Sequence, residues 1–365
     1  VIDDGVETHE ELAGRVLPGY TPNMPSGLGS PGSGGAHGEA CAGIVAAAKD
    51  NNLGISGVAP KALVIPINIF QGLLTTADIA GAIDWAWDEG AADVLSNSWG
   101  YNSTSGTDDI VNAITRARTL GRGGKGATVV FASGNAGGSV TFPANVNGVV
   151  AVGAINKFGA IWGYSNRGPE LDLVAPSGDL GGAGDIVTID RTGAFGYVSG
   201  NYYNNFGGTS AACPQVAGAA ALILSLNPNF TESQIVSYLR STATDMGVAG
   251  FDNTFGYGRL KVSAAMTTAK NDIYSIVPQW EYFGRLCVNI PESIQYYSIN
   301  VPPGATISWS GFRVNIVGST TSSTVAINGN PAYTQGIGRI TATITMPGCG
   351  SITSSLTMNL KNDCI

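Results

Sequence analysis

A change of texture near residue 270 constrains this chain more than any other feature. Before it, short β-branched runs alternate with Ala-rich helical patterns: Ala62-Leu63-Val64-Ile65-Pro66-Ile67-Asn68-Ile69, then Thr76 to Glu89, then Ala92-Asp93-Val94-Leu95-Ser96. Strand, helix, strand in that order builds a mainly parallel sheet covered by helices. Further strands are expected at Ala127 to Ala132 and Gly148 to Val152. Further helices are expected at Gly38 to Lys49, Ser210 to Leu226 and Glu232 to Thr244.

After residue 270 the helical period disappears. Alternating Thr, Ile and Val segments take over at Tyr296 to Val301, Thr306 to Ser310, Arg313 to Ile316, Gly338 to Met346 and Ile352 to Leu360, separated by Gly, Pro and Ser turns. Short strands with such turns read as an antiparallel sandwich. The expected architecture is an α/β domain over residues 1–270 followed by a small all-β sandwich over 275–365.

Composition removes several classes. Of 365 residues 44% are hydrophobic and 12% charged, which excludes disorder for most of the chain. The net charge of −8, with no basic run, disfavours nucleic acid, whose phosphates need clustered Lys and Arg. The longest apolar run, Val216 to Leu224, is less than half of what a bilayer span needs, and no membrane span is expected. An acidic surface of low charge density points to a secreted or cell-surface setting. Five scattered cysteines, with no CxxC, do not form a metal cluster.

Three segments carry the chemistry. Val1-Ile2-Asp3-Asp4-Gly5 ends an apolar strand in a carboxylate. His37-Gly38-Glu39-Ala40-Cys41-Ala42-Gly43 opens a helix on an imidazole. Gly207-Gly208-Thr209-Ser210 delivers a hydroxyl to a helix N-terminus. A Ser hydroxyl becomes a nucleophile when a base takes its proton, and that base needs a carboxylate to fix its tautomer. Asp3, His37 and Ser210 supply those roles, and Asn135, after a strand and a Gly turn, is the candidate oxyanion donor. The sequence holds two histidines. His9 lies in the acidic Glu7-Thr8-His9-Glu10-Glu11 and reads as a surface-loop residue, which leaves His37 as the base.

These segments, with Ser96-Asn97-Ser98-Trp99-Gly100, Ala132-Ser133-Gly134-Asn135 and Gly208 to Gly218 in register, resemble the subtilisin-family serine endopeptidases. The resemblance implies a subtilisin-like three-layer parallel sheet and cleavage of protein or peptide substrates through an acyl-enzyme, with broad specificity. Asp3, His37 and Ser210 would be catalytic, with Asn135 at the oxyanion. Ser98, Trp99 and Gly100 would pair with the substrate backbone, Ala132, Ser133 and Gly134 would wall the primary pocket, and Thr141 would lie near its floor. A structural calcium would be held by Glu11, Asn51 and the carbonyls of Lys49, Leu53 and Ile55. No catalytic cofactor is implied. The family usually has a helix and most of a strand before the catalytic Asp, so the chain reads as N-terminally truncated relative to the family.

Other readings accompany these. Asp4 is expected in a turn or surface role, and Glu39 is expected to be solvated. Trp85 and Trp87 are expected to pack on their helix, leaving Trp99 in the cleft. Cys41 and Cys213, each one turn inward from a catalytic residue, are expected to be close, as two thiols or as a disulfide with a slight preference for the latter. Cys287 and Cys349 either bridge the second domain or remain thiols. That domain resembles the immunoglobulin-like modules of secreted bacterial enzymes, and its open roles are protein or carbohydrate binding, spacing or docking. The competing class is a non-catalytic binding or adhesion protein that retains the protease fold.

Overall fold

Apolar, β-branched runs too short for helices form the centre of the first unit. In the computed structural model, which describes residues 1–101, 106–180, 185–278, 285–287, 294–333, 335–346 and 350–361, they are β1 (Ile2–Asp3), β2 (Ile67–Asn68), β3 (Val94–Asn97), β4 (Thr128–Ala132), β5 (Val150–Ile155) and β6 (Leu171–Pro176). They make one six-stranded sheet in the order β2-β1-β3-β4-β5-β6, with every pairing parallel. β4 and β5 are buried throughout, as strands covered on both faces must be.

Helices cover both faces. α1 (His37–Ala46), α2 (Thr76–Trp87), α3 (Asp108–Gly124, broken at Gly121 to Gly123), α4 (Thr209–Leu226), α5 (Glu232–Ser241) and α6 (Val262–Ile273) follow in chain order. Ile79 and Ile83 of α2, with Ile110 and Ile114 of α3, pack on Leu95, Val129 and Phe131 from one side. The alternate residues of β4 and β5 face α4. Thr75 and Thr231 start α2 and α5 with reciprocal capping boxes, Thr75 with Asp78 and Thr231 with Gln234.

The Ala62 to Ile69 run pairs in the sheet only at Ile67–Asn68. α3, β6 and α6 were not anticipated from sequence, nor were the strands Ile186–Ile189 and Tyr202–Phe206, nor Val277–Pro278, Arg285–Cys287 and Thr324–Gly329 of the second unit. The two-stranded hairpin β7 (Ile186–Ile189) and β8 (Tyr202–Phe206) leads into α4. α4 is long and apolar enough to cross a membrane, but 72% of it is buried in the core of the first unit.

The chain divides into Val1–Met266 and Thr267–Ile365. The second unit contains β9 (Val277–Pro278), β10 (Arg285–Cys287), β11 (Gln295–Ser298), β12 (Thr306–Phe312), β13 (Val314–Val317), β14 (Thr324–Gly329), β15 (Gly336–Met346) and β16 (Gly350–Lys361). They form two four-stranded sheets, β10-β16-β15-β12 and β13-β14-β11-β9. Pairing is antiparallel except between β10 and β16. Trp309, Val325, Ile327, Ile340 and Ile344 share its core, and the Trp309 indole N–H donates to Ser322 O at 2.8 Å. A Cys287–Cys349 bridge would involve side chains outside the described residues.

Candidate active site

The site forms at the carboxyl ends of β1, β3 and β4, where a parallel sheet leaves its loops and helix N-termini facing one crevice. Asp3 is the last residue of β1 and is 2% exposed. Its carboxylate accepts the His37 Nδ1–H, with Oδ1 at 2.9 Å and Oδ2 at 3.0 Å. That bond fixes the tautomer and leaves Nε2 as the basic nitrogen. Phe206 meets the imidazole edge-on, 5.3 Å between centroids. Burial pulls the His37 pKa down, but the charge of Asp3 and the hydrogen bond to it outweigh burial and hold it well above the ordinary histidine value.

His37 is also placed through its backbone. α1 has no side-chain cap of its own at Ala36. Asp4 supplies it from the end of β1: Oδ2 accepts the N–H groups of Ala36 and His37, both at 3.0 Å, and Oδ1 accepts that of Gly38 at 2.7 Å. A carboxylate there satisfies three donors that a helix N-terminus leaves open and complements its dipole. Gly38 lets the helix sit flush on the strand end, since a Cβ would fall 2.4 Å from Gly5 O. The turn role expected for Asp4 is thus a cap on the helix that carries the imidazole.

Ser210 lies in the first turn of α4, 8% exposed. Its Oγ donates to Ser98 O at 3.4 Å. Its own carbonyl accepts the Ser98 hydroxyl at 3.1 Å and the Cys41 thiol at 3.7 Å. Among the described residues no hydrogen bond joins Ser210 to His37, a looseness common in unliganded sites that tightens with substrate.

Asn135 follows β4 and is locked by Thr209. Its Oδ1 accepts the Thr209 N–H and hydroxyl, both at 2.8 Å, which leaves Nδ2 free to donate. Gly208 (φ 73°) permits this approach, because a Cβ there would stand 3.1 Å from Asn135 Nδ2. Asn166, which the sequence reading missed, ties the same loop. Its Oδ1 accepts the N–H groups of Ala136 and Gly138, and its Nδ2 donates to Ser133 O. The polar run Tyr164 to Gly168 between β5 and β6 was the available signal.

A cavity of about 290 Å³ beside Ser210 is lined by Ser98, Trp99, Gly100, Ala132, Gly134, Asn135 and Thr141 among others, with no charged side chain. A second, of about 530 Å³, runs from His37 and Gly100 to Gly32 to Gly35 and Phe70. Ser133 is fully buried behind the first wall, its hydroxyl on Asn166 O. The Trp99 ring is turned into the core, 5.0 Å from Phe131, so its backbone rather than its indole faces the cleft. Trp85 stacks on Tyr20, 5.2 Å between centroids, and Trp87 donates to Asp84, both as packing residues.

Two expectations are corrected by burial. Glu39 is not solvated: it is 0% exposed, one oxygen accepts the Glu7 N–H at 2.8 Å, and the other has no partner. Burial pushes its carboxyl pKa up to about 8. Helix α1 is buried on nearly every side, so pointing away from His37 leads to more protein rather than to water. His9 is likewise buried, 3% exposed. Its Nδ1 accepts the Glu11 N–H and its Nε2–H donates to Asn201 O, capping the short 3-10 turn Glu10–Leu12. Arg191, 9% exposed in its side chain, pairs with Glu7 and donates to Gly32 O and Gly35 O, pinning the loop before His37.

Cys41 and Cys213 are two buried free thiols, not a disulfide. Cys41 turns to Ser210 O, Cys213 to Asn97 O at 3.3 Å. Burial raises both pKa values, that of Cys213 to about 12, so neither is a thiolate at neutral pH.

Around the expected calcium ligands, Glu11 is 0% exposed. Its carboxylate accepts from Asn51 Nδ2 at 2.8 Å, Ile55 N at 3.0 Å and Tyr202 Oη at 3.2 Å. Asn51 Oδ1 accepts the Leu53 N–H. Among the described residues no cationic side chain pairs with this buried carboxylate.

Comparison with known proteins identifies the family. Residues 1–258 match the Subtilase family, peptidase S8. The calcium-dependent protease of Trichormus variabilis is 36% identical over 306 residues, covering 74% of this chain and 46% of its own length; this chain spans about half of that relative. Subtilisin Savinase of Lederbergia lenta is 34% identical over 269 residues, covering 73% of this chain and 88% of its own. Among solved structures, a protease from Pseudoalteromonas arctica PAMC 21717 superposes with a TM-score of 0.61 at 30% identity, over 73% of this chain and 88% of that one. The serine protease of Aeromonas sobria, solved with its chaperone, gives 0.67 at 18% identity over 98% of this chain and 84% of its own, a likeness of fold alone. With the family match extending from the first strand to beyond α5 and the subtilisin-like parallel sheet in place, this chain belongs to the Subtilase family of serine proteases.

Proposed function

We propose that the chain is a secreted or cell-surface endopeptidase that hydrolyses peptide bonds with Asp3, His37, Ser210 and Asn135. The observation that carries this reading is the two-oxygen grip of Asp3 on His37 Nδ1, at 2.9 and 3.0 Å, in a cavity that shares its Ser98 to Gly100 wall with the cavity holding Ser210. His37 Nε2 takes the Ser210 Oγ proton as Oγ bonds to the scissile carbonyl carbon. The carbonyl oxygen becomes an oxyanion facing Asn135 Nδ2. The tetrahedral species expels the amine, which takes the proton from Nε2 and leaves an acyl-enzyme. Water, deprotonated by the same nitrogen, then releases the acid.

Ser98 to Gly100 would pair with the substrate backbone as an added strand. The uncharged wall of Ala132 and Gly134, with Thr141 at its base, favours medium apolar or polar side chains over Lys or Arg. Labelling with a fluorophosphonate probe tests the assignment: the parent should label, and Ser210→Ala and His37→Ala should not. An unlabelled parent, or a labelled Ser210→Ala, would overturn it.

Calcium is proposed as a structural ion. Glu11 is a buried carboxylate without a cationic partner, and the carbonyls of Lys49, Leu53 and Ile55 accept no hydrogen bond among those described. That donor set, with the Asn51 amide beside Glu11, fits a hard cation. The relatives named calcium-dependent proteases support the reading. The ion would tie the loop after α1 to the turn bearing Glu11, away from the reacting atoms.

A further inference from the structure

One long stretch of the second unit carries its charge at a single place. Between residues 293 and 360 the sequence has two charged side chains, Arg313 and Arg339. Both stack on the same aromatic residue. The Arg313 guanidinium lies 5.1 Å from the Phe312 centroid and 5.3 Å from that of Tyr333, and Arg339 lies 5.8 Å from Phe312. Phe312 is 52% exposed and Tyr333 39%. Arg313 adopts φ +57°, a conformation costly for a non-glycine residue, to reach this position. Among the described residues no carboxylate pairs with either guanidinium.

The sheet extends this patch into a hydroxyl surface. Arg339 sits opposite Phe312 on β12 and Thr357 on β16. Further along the same outward face come Thr341 paired with Ser355, and Thr345 with Ser351, each hydroxyl to hydroxyl at 2.8 Å. Same-face rows recur about every 7 Å along a strand. The result is an uncharged hydroxyl lattice with two unpaired, ring-supported guanidinium groups at one end.

We propose that this face binds a carboxylated polysaccharide. Its carboxylates would be held by the forked donors of Arg313 and Arg339, while its hydroxyls exchange hydrogen bonds with the Ser and Thr rows. An acidic peptide would match the arginines but leave the rows unused, and a nucleic acid needs more than two cations.

Native electrophoresis of the full chain through gels containing polygalacturonate, dextran or poly-glutamate tests the proposal at low salt. Polygalacturonate should retard the chain, dextran should not, and poly-glutamate should do so at least tenfold more weakly. Arg313→Gln and Arg339→Gln should each weaken polygalacturonate binding about tenfold, leaving hydrolysis of a small soluble peptide and the circular dichroism spectrum unchanged. Thr341→Ala with Ser355→Ala should weaken polygalacturonate but not poly-glutamate. Absence of retardation, equal retardation by poly-glutamate or dextran, or insensitivity to both arginine changes would each overturn it.

Discussion

Pro214 leaves the carbonyl of Ser210 without its helical donor. It stands four residues later in α4 and has no N–H to give, so the Ser210 carbonyl is taken instead by the Ser98 hydroxyl at 3.1 Å and the Cys41 thiol at 3.7 Å. The turn that presents Ser210 is thereby fastened to the segment after β3 and to α1. Pro214→Ala should restore the helical bond and compete with those contacts. We expect unchanged or raised thermal stability with kcat/KM reduced several-fold; equal activity would show that the anchoring is irrelevant to the chemistry.

The His37 geometry sets a pH profile. As the proposed base, His37 must be neutral to accept the Ser210 proton, and its pKa is held above the ordinary histidine value, chiefly by Asp3 against burial. Activity should therefore rise with pH through a midpoint above about 6.5. Asp3→Asn should lose most of the rate, since the ring then loses its anionic partner. A midpoint at or below 6.5 in the parent would contradict the assignment.

Glu39 predicts the opposite trend for stability. Its folded pKa is raised to about 8, so between the unfolded value near 4.5 and 8 the folded state binds more protons than the unfolded state. Stability contributed by this group is complete below pH 4.5 and declines as pH rises, by a few kcal/mol at most. Glu39→Gln, which keeps an acceptor for the Glu7 N–H and places a neutral amide at the unpartnered position, should flatten the decline between pH 5 and 9. Melting curves across that range would show it.

Removing Asp4 should harm both stability and rate. Asp4→Ala leaves three N–H groups at the start of α1 unpaired, at a cost of about 1–3 kcal/mol. It also loosens His37 through its backbone, so kcat should fall more than KM changes. Asp4→Asn should recover part of both.

Chelation separates the proposed ion from the chemistry. EGTA should lower the melting temperature, and Glu11→Gln should abolish that sensitivity while leaving fluorophosphonate labelling intact below the melting temperature. A melting temperature indifferent to EGTA would remove the ion from the account.

Much of this is legible in the sequence. The alternation of strands and helices read the central layers, and Asp3, His37, Ser210 and Asn135 stood out because their chemistry needs strand ends and helix starts, which leave marks in Gly and Ala spacing. Asp4, Glu39 and His9 were misread or underread for one reason. Their neighbours in sequence are polar, but their neighbours in space are backbone from other elements: Ala36 to Gly38 for Asp4, Glu7 for Glu39, Asn201 for His9. Local pattern reports a solvated face when a helix has polar positions. α1 has no solvated face to report, because its Gly and Ala residues admit packing all round. α3 was missed because its Gly- and Arg-rich end obscures the period of Ile110, Ala113, Ile114 and Ala117.

Ser210, the proposed nucleophile, sits on α4, which would tie catalysis to the slowest-opening part of the first unit. Active-site loops commonly fray at little free-energy cost, whereas a helix packed across the sheet core opens only with the whole domain. Amide hydrogens along α4 should exchange with solvent at the rate of global unfolding, and residual activity after heating should count surviving molecules rather than partly loosened ones.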